Sequence, residues 1–106
     1  MNLFSLFRRS DINRELDDFR KTPDAVLLDV RSEEEYLSGH IPQAVNIPLD
    51  KISNVQDVVK SHDSAIFVYC LRGTRSLKAA GVLRKLGYTN VKSIGGIASY
   101  KGKLEN

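Results

Sequence analysis

The spacing of apolar residues changes repeatedly along this chain, and each change predicts an element. Ile12, Leu16 and Phe19 fall at i, i+4 and i+7, one face of a helix from Asp11 to about Arg20. "AVLLDV" (25–30) is a near-continuous apolar run, expected of a strand covered on both faces in a parallel sheet. "SEEEYLSG" (32–39) opens with a capping-box pair, Ser32 and Glu35, whose side chains can satisfy free first-turn amides; Gly39 can close the helix. "AVNIP" (44–48) reads as a short strand stopped by Pro48, and Ile52, Val55, Val58 and Val59 suit the buried side of another helix. "AIFVY" (65–69) is the most hydrophobic strand and is expected at the centre of the sheet. From Thr74 to Leu86, Ala79, Val82, Leu83 and Leu86 repeat at i, i+3, i+4 and i+7, with Gly87 as the stop. "VKSI" (91–94) reads as a last strand, followed by Gly95-Gly96 and a short helical turn to about Tyr100.

Strands alternating with helices over short connections imply parallel βαβ units with right-handed crossovers. The expected class is α/β, a small three-layer sandwich. Its mainly parallel central sheet has four to five strands flanked by helices, in a single domain over 1–106. Ligands in such sheets collect at the carboxyl ends of the strands, and Cys70 stands at one of them. The opening "MNLFSLFRRS" is apolar, then basic. It is too short for a signal-peptide core, carries its charge after the apolar run and cannot span a bilayer. Residues 1–9 are therefore expected to form a loosely packed amphipathic first turn.

Composition narrows the function. With 42% hydrophobic and 27% charged residues, the chain has a globular rather than a disordered profile. Its net charge of +3 is scattered apart from Arg8-Arg9, Arg72 and Arg75. That favours small anionic partners over nucleic acid, which calls for a basic stripe. The single cysteine excludes an internal disulfide and points to a reducing, cytoplasmic setting. His40 and His62 lack partners at metal-ligand spacing, so neither a metal nor a cofactor is implied.

The chemistry concentrates in "FVYCLRGTRSLKAA" (67–80), where the lone thiol ends a core strand beneath the start of a helix. A free thiol has a pKa of about 8.5, and cations or a helix start lower it. The helix beginning near Thr74 points unpaired N–H groups back at the loop, forming an anion-binding concavity. Gly73 lets the backbone turn inward, and Arg72 and Arg75 can add charge. An activated thiolate in a preformed anion cradle is the equipment of nucleophilic catalysis. No histidine is near in sequence, which fits attack by a thiolate that is already formed. Other signals read more simply. His40 is taken as a structural histidine after a helix end, His62 as a surface residue, and Glu33-Glu34-Glu35 as a helix start complementing the macrodipole. "GIASYKGK" (96–103) fails as a phosphate loop, since its spacing is too long and Leu104 stands where Ser or Thr is required.

Three ordered segments resemble the single-domain rhodaneses, a family of thiosulfate sulfurtransferases: "LLDVRSEEEYLSGHIPQAVNIP" (27–48), "VYCLRGTRS" (68–76) and "LGYTNVKSIGGIASYKG" (86–102). The resemblance implies that Cys70 is the nucleophile that takes the outer sulfur of thiosulfate, expels sulfite and becomes a persulfide. An external thiol, a sulfur-acceptor protein or cyanide then removes the sulfur. It further implies that Leu71, Arg72, Gly73, Thr74, Arg75 and Ser76 form the anion site, with Arg75 closing the loop. Asp29 and Arg31 match the Asp-Val-Arg strand end, Asp29 as support and Arg31 as support or pocket rim. Gln43 departs from the family at a place where glycine is usual, a change expected to affect a turn. Arg72 replaces a small residue and Tyr100 an aromatic that is often tryptophan. Phosphatases on this fold carry a loop one residue longer than the six from Cys70 to Arg75, so loop length favours sulfur over phosphate. Two other readings stay open: a sulfur-carrier or protein-docking module without significant turnover, and a small phosphatase or arsenate reductase.

Overall fold

The computed structural model describes residues 11–106, and the reading of the first nine residues lies outside them. Helix α1 (Ile12–Lys21) begins at Asp11, whose carboxylate accepts the Asn13 amide at 3.0 Å, and it buries Ile12, Leu16 and Phe19 as the periodicity predicts. Strand β1 (Val26–Asp29) leads to α2 (Glu33–Ser38), where both halves of the Ser32–Glu35 capping box form. Strand β2 is only Val45–Asn46. A 3₁₀ segment (Leu49–Asn54) and a single helical turn, α3 (Val55–Val58), precede β3 (Ile66–Cys70). Helix α4 (Thr74–Lys85), β4 (Val91–Gly96) and a 3₁₀ turn (Ile97–Ser99) follow.

The four strands pair in parallel in the order β2-β1-β3-β4. Every residue of β3 is buried, which is why that strand reads as continuously apolar. Its side chains alternate between two cores. Ile66, Val68 and Cys70 join Leu28, Ile52, Val55, Ala79 and Leu83 on one side; Phe67 and Tyr69 join Ile12, Leu16, Phe19 and Ile94 on the other. The result is the expected α/β sandwich with four strands. None of its described helices is long and apolar enough to cross a membrane.

Two helical expectations need correction. The segment carrying Ile52, Val55, Val58 and Val59 is a 3₁₀ turn as far as Asn54 and α-helical only over Val55–Val58, and Val58 is 50% exposed while Ile52, Val55 and Val59 are buried. Three valines lose side-chain freedom in a helix, so the segment follows the core rather than helical propensity. In α4 the buried stripe is Ser76, Ala79, Ala80 and Leu83, rotated from the expected one, and Val82 is exposed. Small alanines let the helix lie close to the sheet, and this rotation turns Ser76 toward Cys70.

Gln43 occupies the third position of the turn from Ile41 to Ala44, closed by the Ala44 amide on the Ile41 carbonyl at 3.1 Å. Its φ of +75° is left-handed, where a Cβ is strained and glycine is not. Gln43→Gly is expected to stabilise the fold by about 0.5–1 kcal/mol, the removed strain exceeding the added chain entropy. The check is a higher urea midpoint at an unchanged slope.

Candidate functional site

Strand β3 delivers Cys70 to the carboxyl edge of the sheet, and the chain then curls back over its sulfur. The residue is 1% exposed and has apolar neighbours on one side, but its Sγ meets donors on the other. The Gly73 amide donates to Sγ at 3.0 Å and the Ser76 amide at 3.4 Å, with the Ser76 hydroxyl 3.7 Å away. Burial raises the thiol pKa; the Ser76 amide and hydroxyl and the Gly73 and Arg72 amides more than reverse this, leaving it below its ordinary value. The arrangement can hold a sulfur anion with no base beside it.

Two glycines make the curl possible. Gly73, which precedes α4, has φ +107° and aims its amide at the sulfur. At Gly96 an added Cβ would lie 2.0 Å from the Leu71 carbonyl oxygen and 2.5 Å from the Arg72 Cα. The loop backbone therefore occupies the space of the missing side chain, opposite a register shift that sets Cys70 beside Gly96. The Ala98 amide completes the seat by donating to the Leu71 carbonyl at 3.1 Å. Gly96 was not among the sequence-derived site residues; the Gly-Gly pair closing a strand was the available signal.

The loop arginines diverge. Arg75 turns to α2, donating from Nη1 and Nη2 to the two Glu35 carboxylate oxygens at 2.7 and 3.1 Å. Glu35 simultaneously accepts the Ser32 amide in the capping box, so one carboxylate starts a helix and clasps the loop. The Arg75 hydrogen bond is the main force holding its pKa down to about 2. The sequence marks Glu35 as a cap but hides this second partner 40 residues away. Arg72 is exposed and borders an open cavity of about 450 Å³ beside the loop, with Thr74, Leu77, Ser93 and Gly96. A second cavity, of about 570 Å³, lies on the other flank between Arg75, Val30, Leu49 and Lys51.

Asp29 and Arg31 lie inside. Asp29 is fully buried and accepts from Nε and Nη2 of Arg31, from the Arg31 amide and from the Tyr69 hydroxyl, at 2.6–3.1 Å. Arg31, 5% exposed, also donates to the Gly39 carbonyl at 2.8 Å, so its position is support and not rim. Tyr69, immediately before Cys70, is pinned between Asp29 and the Ile41 amide. Burial and the Asp29 charge push its phenol far above the usual range. His40 is structural: its Nδ1 lies 2.9 Å from the Tyr36 carbonyl and its ring stacks on Tyr36. Exposed His62 packs on Tyr88, and Tyr100 packs against the core around α1.

Residues 13–103 match the rhodanese-like domain. The chain belongs to that family. Among solved structures, this rhodanese-like domain is similar to a rhodanese with anions from E. coli (30% identity, TM-score 0.72, 76% of this chain and 96% of that one). A human single-domain sulfurtransferase is also similar, at 29% identity and TM-score 0.68 over 81% of this chain and 88% of that one. Among curated proteins, the tRNA uridine(34) hydroxylase of Salmonella newport is 34% identical over 105 residues, 93% of this chain. The chain spans 29% of that relative's length.

The Glu35–Arg75 clasp has a pH signature. A carboxylate with a depressed folded pKa stabilises the fold above its unfolded value, here 4.5, and that contribution disappears as pH falls toward about 2. Glu35→Gln, which cannot ionise, is expected to flatten the loss of stability between these pH values. Urea denaturation at stepped pH checks it; parallel acid profiles for both proteins would remove the clasp as the cause.

Proposed function

We propose that this rhodanese-like domain is a sulfurtransferase working through a Cys70 persulfide. The observation that carries the reading is the Cys70 sulfur under the Gly73 and Ser76 amides of a six-residue loop. The thiolate lone pair attacks the outer sulfur of thiosulfate or a similar sulfane donor. A sulfur–sulfur bond forms, the donor's sulfur–sulfur bond breaks, and sulfite departs with the electron pair. The loop amides of Leu71 to Ser76 then hold the terminal sulfur, whose single added atom suits a tight cradle. An external thiol, a sulfur-acceptor protein or cyanide attacks that sulfur, and Cys70 leaves as thiolate with the electron pair of the broken bond.

Similarity to a sulfurtransferase and to a rhodanese with anions supports this reading. The hydroxylation named for the Salmonella relatives belongs to chains of which this one spans less than a third, and does not enter it. Arg75 closes the loop by its hold on Glu35, and Arg72, exposed at the open flank, is placed to meet an arriving anion.

Intact mass spectrometry after thiosulfate treatment is expected to show a gain of one sulfur atom, reversed by a small thiol and absent in Cys70→Ser. Failure to gain sulfur from any sulfane donor would leave the docking-module reading, and hydrolysis of an aryl phosphate would favour the phosphatase. Because the chain has one cysteine, it contains no resolving thiol. Without an acceptor, sulfite release is therefore expected to stop at about one equivalent per chain. Continued release under those conditions would rule out this two-step scheme.

A further inference from the structure

We infer that Ser93, on the edge strand β4, is a positioning residue for the reactive sulfur, acting through the Ser76 hydroxyl. The inference rests on Cys70 as the reacting anion and adds a residue outside the loop motif. Ser93 Oγ lies 2.8 Å from Ser76 Oγ, which lies 3.0 Å from the Gly73 carbonyl and 3.7 Å from Cys70 Sγ. Ser76 is fully buried, whereas Ser93 is half-buried at the wall of the cavity bordered by Arg72.

Hydrogen counting gives the arrangement its meaning. Ser76 Oγ carries one proton and has three polar neighbours. With a neutral thiol, Ser76 donates to the Gly73 carbonyl and accepts from the Cys70 S–H. With a thiolate the sulfur has no proton to give, and the Ser76 O–H is best used by turning to it. That turn leaves nothing stranded, because the Gly73 carbonyl keeps the Leu77 amide at 3.1 Å. Ser93 can donate to Ser76 Oγ in both states. In the anionic one it forms a chain, Ser93 O–H to Ser76 O–H to sulfur, in which each bond polarises the next.

The other groups around the sulfur do not supply this function. Strand β1 presents Leu28, with Val30 just beyond its end, and α4 presents Ala79 and Leu83. Tyr88, in the same cluster, spends its hydroxyl on the Val59 carbonyl at 2.6 Å. Arg75 is electrostatically coupled to Cys70 but is held on Glu35.

The test compares two nearly isosteric substitutions, both tolerated in strands. Ser93→Thr keeps the hydroxyl; Ser93→Val replaces it with methyl groups that also keep water from taking its place. The readout is the pH dependence of iodoacetamide alkylation, which reports Cys70 alone because the chain has no other thiol. Ser93→Val is expected to move the alkylation midpoint to higher pH, so that alkylation below the parent midpoint is about three- to tenfold slower, and Ser93→Thr to follow the parent profile. In a Ser76→Ala background the Ser93→Val effect is expected to vanish, since the chain is already cut. Thermal melts of each variant separate ionisation from unfolding. A parent-like Ser93→Val profile, or an undiminished effect without the Ser76 hydroxyl, overturns the inference alone. A parent thiol that ionises like free cysteine overturns the persulfide reading as well.

Discussion

A sulfur anion beneath a protein surface must be met by hydrogen-bond donors, because burial alone favours the neutral thiol. The Cys70 sulfur has such donors on one side. The donors are backbone amides, and amides can be aimed only by bending the chain, so the Cys70 loop has to curl tightly between β3 and α4. Gly96 gives up a side chain so that the Leu71 carbonyl can occupy its place, and Gly73 takes a left-handed conformation so that its N–H points inward. The parallel sheet then brings together pieces distant in sequence: the end of β3 with Cys70, β4 with Ser93 in its middle and Gly96 at its end, and the start of α4 with Ser76.

Two Arg–carboxylate pairs hold this assembly from opposite sides. Arg31 and Asp29 lie in the interior with every carboxylate oxygen satisfied. Buried pairs of this kind add little net stability over apolar packing, but removing one partner is severe, because it strands the other's charge. Through the Tyr69 hydroxyl this pair fixes the residue just before the cysteine. Arg75 and Glu35 make the second pair, at the surface, and tie the loop to the N-terminus of α2. The first pair sets where β3 ends, and the second sets how the chain leaves it.

Most of the architecture was legible in the sequence because it depends on periodicity and punctuation. The run 65–69, the α1 stripe and the Ser32–Glu35 box are local signals, and each formed. The Cys70 loop was legible for the same reason, since cysteine, glycine, arginine and serine follow one another within seven residues. What stayed hidden depends on contacts made by folding. Ala79 and Leu83 were expected in the buried stripe of α4, but Ser76 is polar and Ala80 small, so hydropathy chose Val82 in their place. Glu35 reads as a cap, and nothing local announces Arg75. Ser93 sits in a short strand as an ordinary polar residue until β4 lies beside α4. The direction of an arginine or a serine depends on tertiary neighbours, so sequence could name the loop residues but not divide their work.

The two ion pairs also differ in access to water, and this separates their response to ionic strength. The side chains of Arg75 and Glu35 are 36% and 32% exposed, while those of Arg31 and Asp29 are 6% and 0% exposed. Dissolved ions screen the outer pair and scarcely reach the inner one. Rising salt is therefore expected to weaken the Arg75–Glu35 clasp on the loop before it touches the Arg31–Asp29 pair beneath the sheet edge.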